Sequence, residues 1–174
     1  MKATIESINR MQAGGIIGKY AIGGAVGATF YLAPAATVDL DIFVTLPSAS
    51  EKLLVSLSPI YEFLKSLGAT EQDEYIVVDD WPVQFLVPSN NLEGEAVEQA
   101  VSTDVDGVPT RVISAEHLVA IALNTGRAKD HTRILQFLDQ GAVNKNKLKE
   151  IVVRHGLSAK WEQFERRFLG GPRG

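Results

Sequence analysis

Residues 37–46, TVDLDIFVTL, constrain the fold more than any other stretch of this chain. Strand side chains alternate, so Val38, Leu40, Ile42 and Val44 share one face while Asp39, Asp41 and Phe43 share the other. Two carboxylates at that spacing lie roughly 6–7 Å apart and repel by about 2–3 kcal/mol at an effective dielectric of about 20. Asp is also a poor strand former. A sheet containing this strand therefore needs something to offset the cost, unless the strand is a solvated edge whose charges discourage aggregation.

The chain has 174 residues, 45% of them hydrophobic and 22% charged, which suits one globular domain or a core with a small helical appendage. It has no cysteine, which excludes disulfides, zinc–thiolate sites and thiol catalysis. Neither a leader pattern nor a run of about 18 apolar residues is present, so a soluble, cytoplasmic protein is expected. The formal net charge of −4 divides unevenly. Residues 1–110 hold 5 Lys and Arg against 15 Asp and Glu, and residues 111–174 hold 12 against 6. Such a molecule can hold metal at its acidic end and phosphate at its basic end, although ordinary solvated helix faces give the same imbalance.

Periodicity divides the chain near Ser114. Before it, ATIESINRMQA reads as an amphipathic helix, IIGKYAIGG as a strand entering a glycine turn, and AVGATFYLA as a helix closed by Pro34. SEKLLVSL and SPIYEFLKSLG read as one kinked helix or two, with Ser58 as N-cap and Gly68 as C-cap. EYIVV and PVQFLVP flank a hairpin signal at Asp79 and Asp80. NNLEGEAVEQAVS follows as a short helix, and VDGVPTRVIS holds an Asp-Gly turn. After Ser114 come four helical segments, each closed by glycine. The fold class expected is α+β, a short mixed sheet flanked by helices, with residues 1–113 as its core and 114–174 as a helical region packed on it.

The order of parts in YAIGGAVGATFYLAPAATVDLDIFV is strand, Gly-Gly turn, helix, then a strand with Asp-x-Asp. This resembles the nucleotidyltransferase superfamily, the polymerase-β-like fold, and within it the small AbiEii-toxin-like nucleotidyltransferases. A second block, HLVAIALNTGRAKDHTRI, is similar to the family's helix ending near Gly-Arg with Lys-Asp opening the next. The resemblance implies that Asp39 and Asp41 are catalytic and bind Mg²⁺ or Mn²⁺. It implies that Gly23, Gly24, Thr37, Arg127, Lys129 and Asp130 bind the nucleotide. The physics agrees: glycines let backbone approach a triphosphate, and paired carboxylates hold Mg²⁺ together with substrate phosphates.

Three positions depart from the family pattern. Gln84 stands where a third carboxylate is usual and offers only an amide oxygen to a metal. Ala35 stands where an Arg is common, and Arg133 replaces a second Asp, from where it can pair with Asp130 at i, i+3. The reaction implied is transfer of a nucleoside monophosphate from an NTP to a hydroxyl of RNA, a protein or a small molecule. The alternative is a degenerate member acting as a nucleotide-binding or partner-binding module, as in a toxin–antitoxin pair. Lys145, Lys147, Lys149, Arg154, Lys160, Arg166 and Arg167 form a basic tail suited to RNA. His117, His131 and His155 show no metal-ligand spacing, and Trp81 and Trp161 read as packing residues. No Walker A, Gly-x-Ser-x-Gly or Gly-x-Gly-x-x-Gly sequence is present.

Overall fold

A computed structural model of the chain describes residues 1–33, 39–47 and 56–170. Its order is α1 (Lys2–Ala13), β1 (Tyr20–Ile22), α2 (Gly24–Ala28), β2 (Leu40–Val44), α3 (Ser58–Ser66), β3 (Thr70–Gln72), β4 (Tyr75–Val78) and β5 (Trp81–Leu86). Then follow α4 (Asn91–Glu98), β6 (Val101–Val105), β7 (Val108–Val112), α5 (Ala115–Thr125), α6 (Ala128–Asp139), α7 (Lys145–Arg154) and α8 (Ser158–Phe168). The strands form one mixed sheet in the order β3-β4-β5-β2-β1-β7-β6. β2 runs antiparallel to β1 and parallel to β5, and β1 runs parallel to β7.

The alternation in β2 is what places it at the centre. Leu40, Ile42 and Val44 are fully buried in one apolar cluster, against Ile5, Ile8 and Met11 of α1 and Ile60 and Leu64 of α3. Burial of each such side chain contributes roughly 1.5–3 kcal/mol. Phe43 points the other way, into a second cluster built with Ala21, α4 and the helices α5–α8. The sheet is therefore covered on both faces. The second cluster runs without a break from the sheet across residue 114 into Leu118, Phe137, Val152 and Phe164.

Several local expectations need correction. β1 begins at Tyr20, because Ile16 and Ile17 fold back on α1, whose Met11 carbonyl accepts from the Ile16 N–H at 2.9 Å. α2 stops at Ala28, where the Thr29 hydroxyl donates to the Val26 carbonyl at 2.7 Å and the main-chain bonds shorten to three-residue spacing, as from the Phe30 N–H to the Gly27 carbonyl. Ser58 lies inside α3, with Leu57 at the N-cap, and part of the preceding SEKLLVSL segment lies outside the described residues. β3 was not expected: its three residues are exposed, so it carries no apolar alternation, and main-chain pairing to β4 alone defines it. Asp79 and Asp80 form the two-residue turn of the β4–β5 hairpin, both at positive φ (48° and 66°).

The four expected C-terminal helices are present, and Gly126, Gly141, Gly156 and Gly170 each follow one in the left-handed conformation. Two of the three histidines, His117 and His155, meet in space. Glu95 of α4 accepts from His117 of α5 at 3.1 Å, from His155 at 3.0 Å and from Arg154 Nε at 3.0 Å. The Ser114 hydroxyl lies 2.8 Å from His117 Nδ1. Arg154 is thereby ion-paired with Glu95 while its side chain stays exposed.

Hydrogen bonds from Arg154 above all hold the Glu95 carboxyl down at about 2, whereas burial pushes the His117 ring below its ordinary value. The Glu95 contribution to stability is complete above about pH 4.5 and is lost as pH falls toward 2. Glu95→Gln is expected to lower stability by roughly 1.5–3 kcal/mol at pH 7, with the difference narrowing below pH 4.5. Urea unfolding of both proteins across that range measures it.

Candidate active site

The Gly23–Gly24 turn lies directly on β2. The Gly23 N–H donates to the Asp41 carbonyl at 2.9 Å, extending the β1–β2 ladder by one rung. A Cβ on Gly23 would stand 2.6 Å from the Phe43 ring, and a Cβ on Gly24, whose φ is +57°, would fall on the Asp41 carboxylate. Both glycines are therefore demanded sterically. The Gly23 amide is thus spent on the sheet.

Asp39 and Asp41 are both half-buried. Burial first, and Asp39 second, push the Asp41 carboxyl up to about 6 from 3.8. Arg133, Lys129 and Arg127, in that order, pull it back. Gln84 is the register partner of Asp41 on the parallel strand β5. Paired residues on neighbouring strands face the same way, so the Gln84 amide shares the acidic face. Thr37 and Ala35 lie outside the described residues.

The α5–α6 corner closes the other side. Gly126 ends α5 in the left-handed conformation, and Arg127 precedes α6. The buried Asp130 accepts from the Arg127 main-chain N–H at 3.1 Å, from Nε at 2.8 Å and from Nη2 at 3.2 Å. Burial alone would raise the Asp130 carboxyl, but the Arg127 bonds outweigh it and the net shift is downward. Asp130 thus holds Arg127 in place, and its partner is Arg127 rather than Arg133. Arg133 instead lines, with Asp41, Gly24, Arg127 and Glu93, a cavity of about 200 Å³ between β2 and the corner. Lys129 is exposed at the start of α6.

Arg133 is the site residue that sequence reasoning misplaced. The spacing of Arg127, Asp130 and Arg133 puts all three on one side of α6, a signal equally compatible with either pairing. Trp81 and Trp161 pack against the two apolar clusters, Trp161 stacking on Phe164 at 5.7 Å. Among the described residues, no group of three or more His, Cys, Asp and Glu is placed to hold a metal, and no helix is long and apolar enough to cross a membrane. Two carboxylates and one amide oxygen suit a single hard cation that completes its shell with phosphate and water.

This architecture matches known structures closely in extent. An antigenic nucleotidyltransferase-like protein from Paracoccidioides brasiliensis superposes with a TM-score of 0.59 over 92% of this chain and 91% of that one, at 12% identity. The fold is nucleotidyltransferase-like. A crystal structure of ANT(2″)-Ia in complex with adenylyl-2″-tobramycin gives a TM-score of 0.52 at 13% identity, covering 92% of this chain and 97% of that one. A solution structure of the antibiotic-resistance factor ANT(2″)-Ia gives 0.50 at 14% identity, covering 96% and 98%. No protein-family model and no curated protein matches the sequence. At such identities the likeness establishes the nucleotidyltransferase-like fold, and the chemistry has to be argued from the residues themselves.

The raised Asp41 carboxyl makes a signed prediction for the nucleotidyltransferase-like fold. With a folded-state value of about 6 against 3.8, ionised Asp41 costs stability, and the cost is absent below about pH 3.8 and complete above 6. In metal-free buffer at pH 7, Asp41→Asn is expected to be more stable than the native chain by roughly 1–3 kcal/mol. The gain should vanish near pH 4, as calorimetry at the two pH values would show.

Proposed function

We propose that the protein is a Mg²⁺-dependent nucleotidyltransferase that moves a nucleoside monophosphate from an NTP to an acceptor hydroxyl. The observation that carries this reading is Asp41: a carboxylate beside Asp39, roofed by Gly24, sharing a cavity with Arg127 and Arg133, in a nucleotidyltransferase-like fold. A neighbour of that fold is described with an adenylylated product. Burying like charges is costly unless a ligand neutralises them, and the metal–triphosphate pair does so on both sides of this cavity.

Asp39 and Asp41 would hold the cation, with Gln84 as a weaker oxygen donor. When bound, a divalent cation there supplies charge neutralisation for the α-phosphate and the departing pyrophosphate. Arg127, held by Asp130, and Arg133 bind phosphate oxygens, while Lys129 approaches from the exposed helix start. Gly24 keeps the turn close to the phosphates without a side chain in the way. In the transfer, the acceptor oxygen forms a bond to the α-phosphorus as the α–β bridging bond breaks, and pyrophosphate leaves. Gln84 cannot take the hydroxyl proton, so that proton leaves to solvent and turnover is slow.

Gln84 also favours the second reading, a degenerate nucleotide-binding or partner-binding module, of which a toxin–antitoxin component of AbiEii type is one form. The native chain with Mg²⁺ is expected to show a rise in melting temperature with at least one NTP and to release pyrophosphate. Asp41→Asn should abolish the Mg²⁺-dependent part of that rise. NTP binding without pyrophosphate release from any acceptor would favour the degenerate reading, and absence of both would defeat the proposal. Gln84→Asp is expected to raise turnover tenfold or more by restoring a base, measured as pyrophosphate release at pH 7.5.

A further inference from the structure

α8 and the α5–α6 corner enclose a second cavity, of about 350 Å³. Its wall joins two kinds of chemistry. The half-buried Phe168 ring lies 5.0 Å from His131 and 5.0 Å from Phe164, with the Arg167 guanidinium 5.1 Å over it. Lys160 donates to the Asn124 carbonyl at 2.7 Å and to Asn124 Oδ1 at 2.9 Å. Those two bonds fix the ammonium at the end of α5 and leave one donor unspent. Among the described residues, no carboxylate lines this cavity.

That lining excludes two ligand classes. A purely apolar ligand would strip water from Lys160 and Arg167 without replacing it. A polycationic ligand would meet like charge at both Lys160 and Arg167. A ligand with a flat π-face and a phosphate satisfies both halves: the ring stacks on an aromatic side chain, and the phosphate takes the free donors of Arg and Lys. The volume falls within the range of small-molecule sites.

We propose that this cavity binds a nucleoside phosphate, its base against Phe168 and its phosphate on Lys160 and Arg167, as a site separate from the one at Asp41. Thr125 lines both cavities, so the nucleotide held here lies next to the acidic site, where an acceptor hydroxyl has to be. The acceptor role rests on the proposed nucleotidyl transfer, whereas the binding does not. The nucleoside phosphate is either a free mononucleotide or the end of an RNA strand.

Calorimetric titration of the full chain in EDTA, without NTP, tests the binding. The probes are AMP, a five-residue oligoribonucleotide with a free 3′ hydroxyl, and inorganic phosphate. AMP or the oligoribonucleotide is expected to bind, inorganic phosphate at least tenfold more weakly. The exposed double substitution Lys160→Gln/Arg167→Gln should weaken binding tenfold or more, and Phe168→Leu several-fold, whereas Asp41→Asn should bind like the native chain. Tighter binding of the oligoribonucleotide than of AMP identifies a strand end, and equal binding a free nucleotide. Four results would overturn the proposal: no binding of either nucleotide, equal affinity for inorganic phosphate, unchanged affinity in the double variant, or loss of binding in Asp41→Asn. With metal and NTP absent, failure here leaves the acidic site standing. Failure of nucleotidyl transfer likewise leaves this titration unaffected.

Discussion

The close approach of the Gly23–Gly24 turn to β2 is the contact on which the rest of the site depends. Any side chain at Gly23 would collide with Phe43, and any at Gly24 with the Asp41 carboxylate. The turn therefore seals one side of Asp41 and removes water from it, which is the leading reason its proton affinity rises. The same contact lets β1 and β2 pair up to the Asp41 carbonyl and brings α2 against the strand. A sequence that places an acid under such a roof stores repulsion that a proton or a cation can relieve.

Two opposed electrostatic arrangements share the helical layer. Around Asp41 the charges are spread out: Asp39 raises its carboxyl, while Arg133, Lys129 and Arg127 pull it back, Arg127 and Arg133 from the wall of a shared cavity. Around Glu95 they are closed: one carboxylate takes hydrogen bonds from Arg154, His117 and His155 and has no need of a ligand. The first arrangement costs stability once Asp41 is ionised. The second joins α4, α5 and the end of α7, the helices that carry the α5–α6 corner. The site thus depends on the clamp mechanically, since Arg127 reaches the cavity only if α5 and α6 keep their positions.

Much of this was legible in the sequence because strong local signals agreed. The alternation in β2 predicted its two faces, the apolar spacing of α1 its buried stripe, and the closing glycines the ends of α5–α8. The Asp79–Asp80 turn was legible from composition between two apolar runs. Other features depend on pairings that have no local signature. β3 is polar and exposed, so only its partner makes it a strand. Glu95, His117 and His155 meet across 22 and 60 residues of chain. Arg133 faces Asp41 because Asp130 already belongs to Arg127, a choice between two pairings of equal spacing on one helix. The two-cation wall at Lys160 and Arg167 was visible only as part of a basic tail, not as a lined cavity.

The central claim is that the charge imbalance at Asp41 exists to be neutralised by a cation and a triphosphate. The most direct measurement is the titration of the Asp41 carboxyl carbon by NMR, in the native chain, without and with Mg²⁺ and a non-hydrolysable NTP analogue. The account predicts a midpoint near 6 in the metal-free protein and a large downward displacement when cation and nucleotide are present together. An Asp41 midpoint that stays where it was in saturating Mg²⁺ and nucleotide would contradict it.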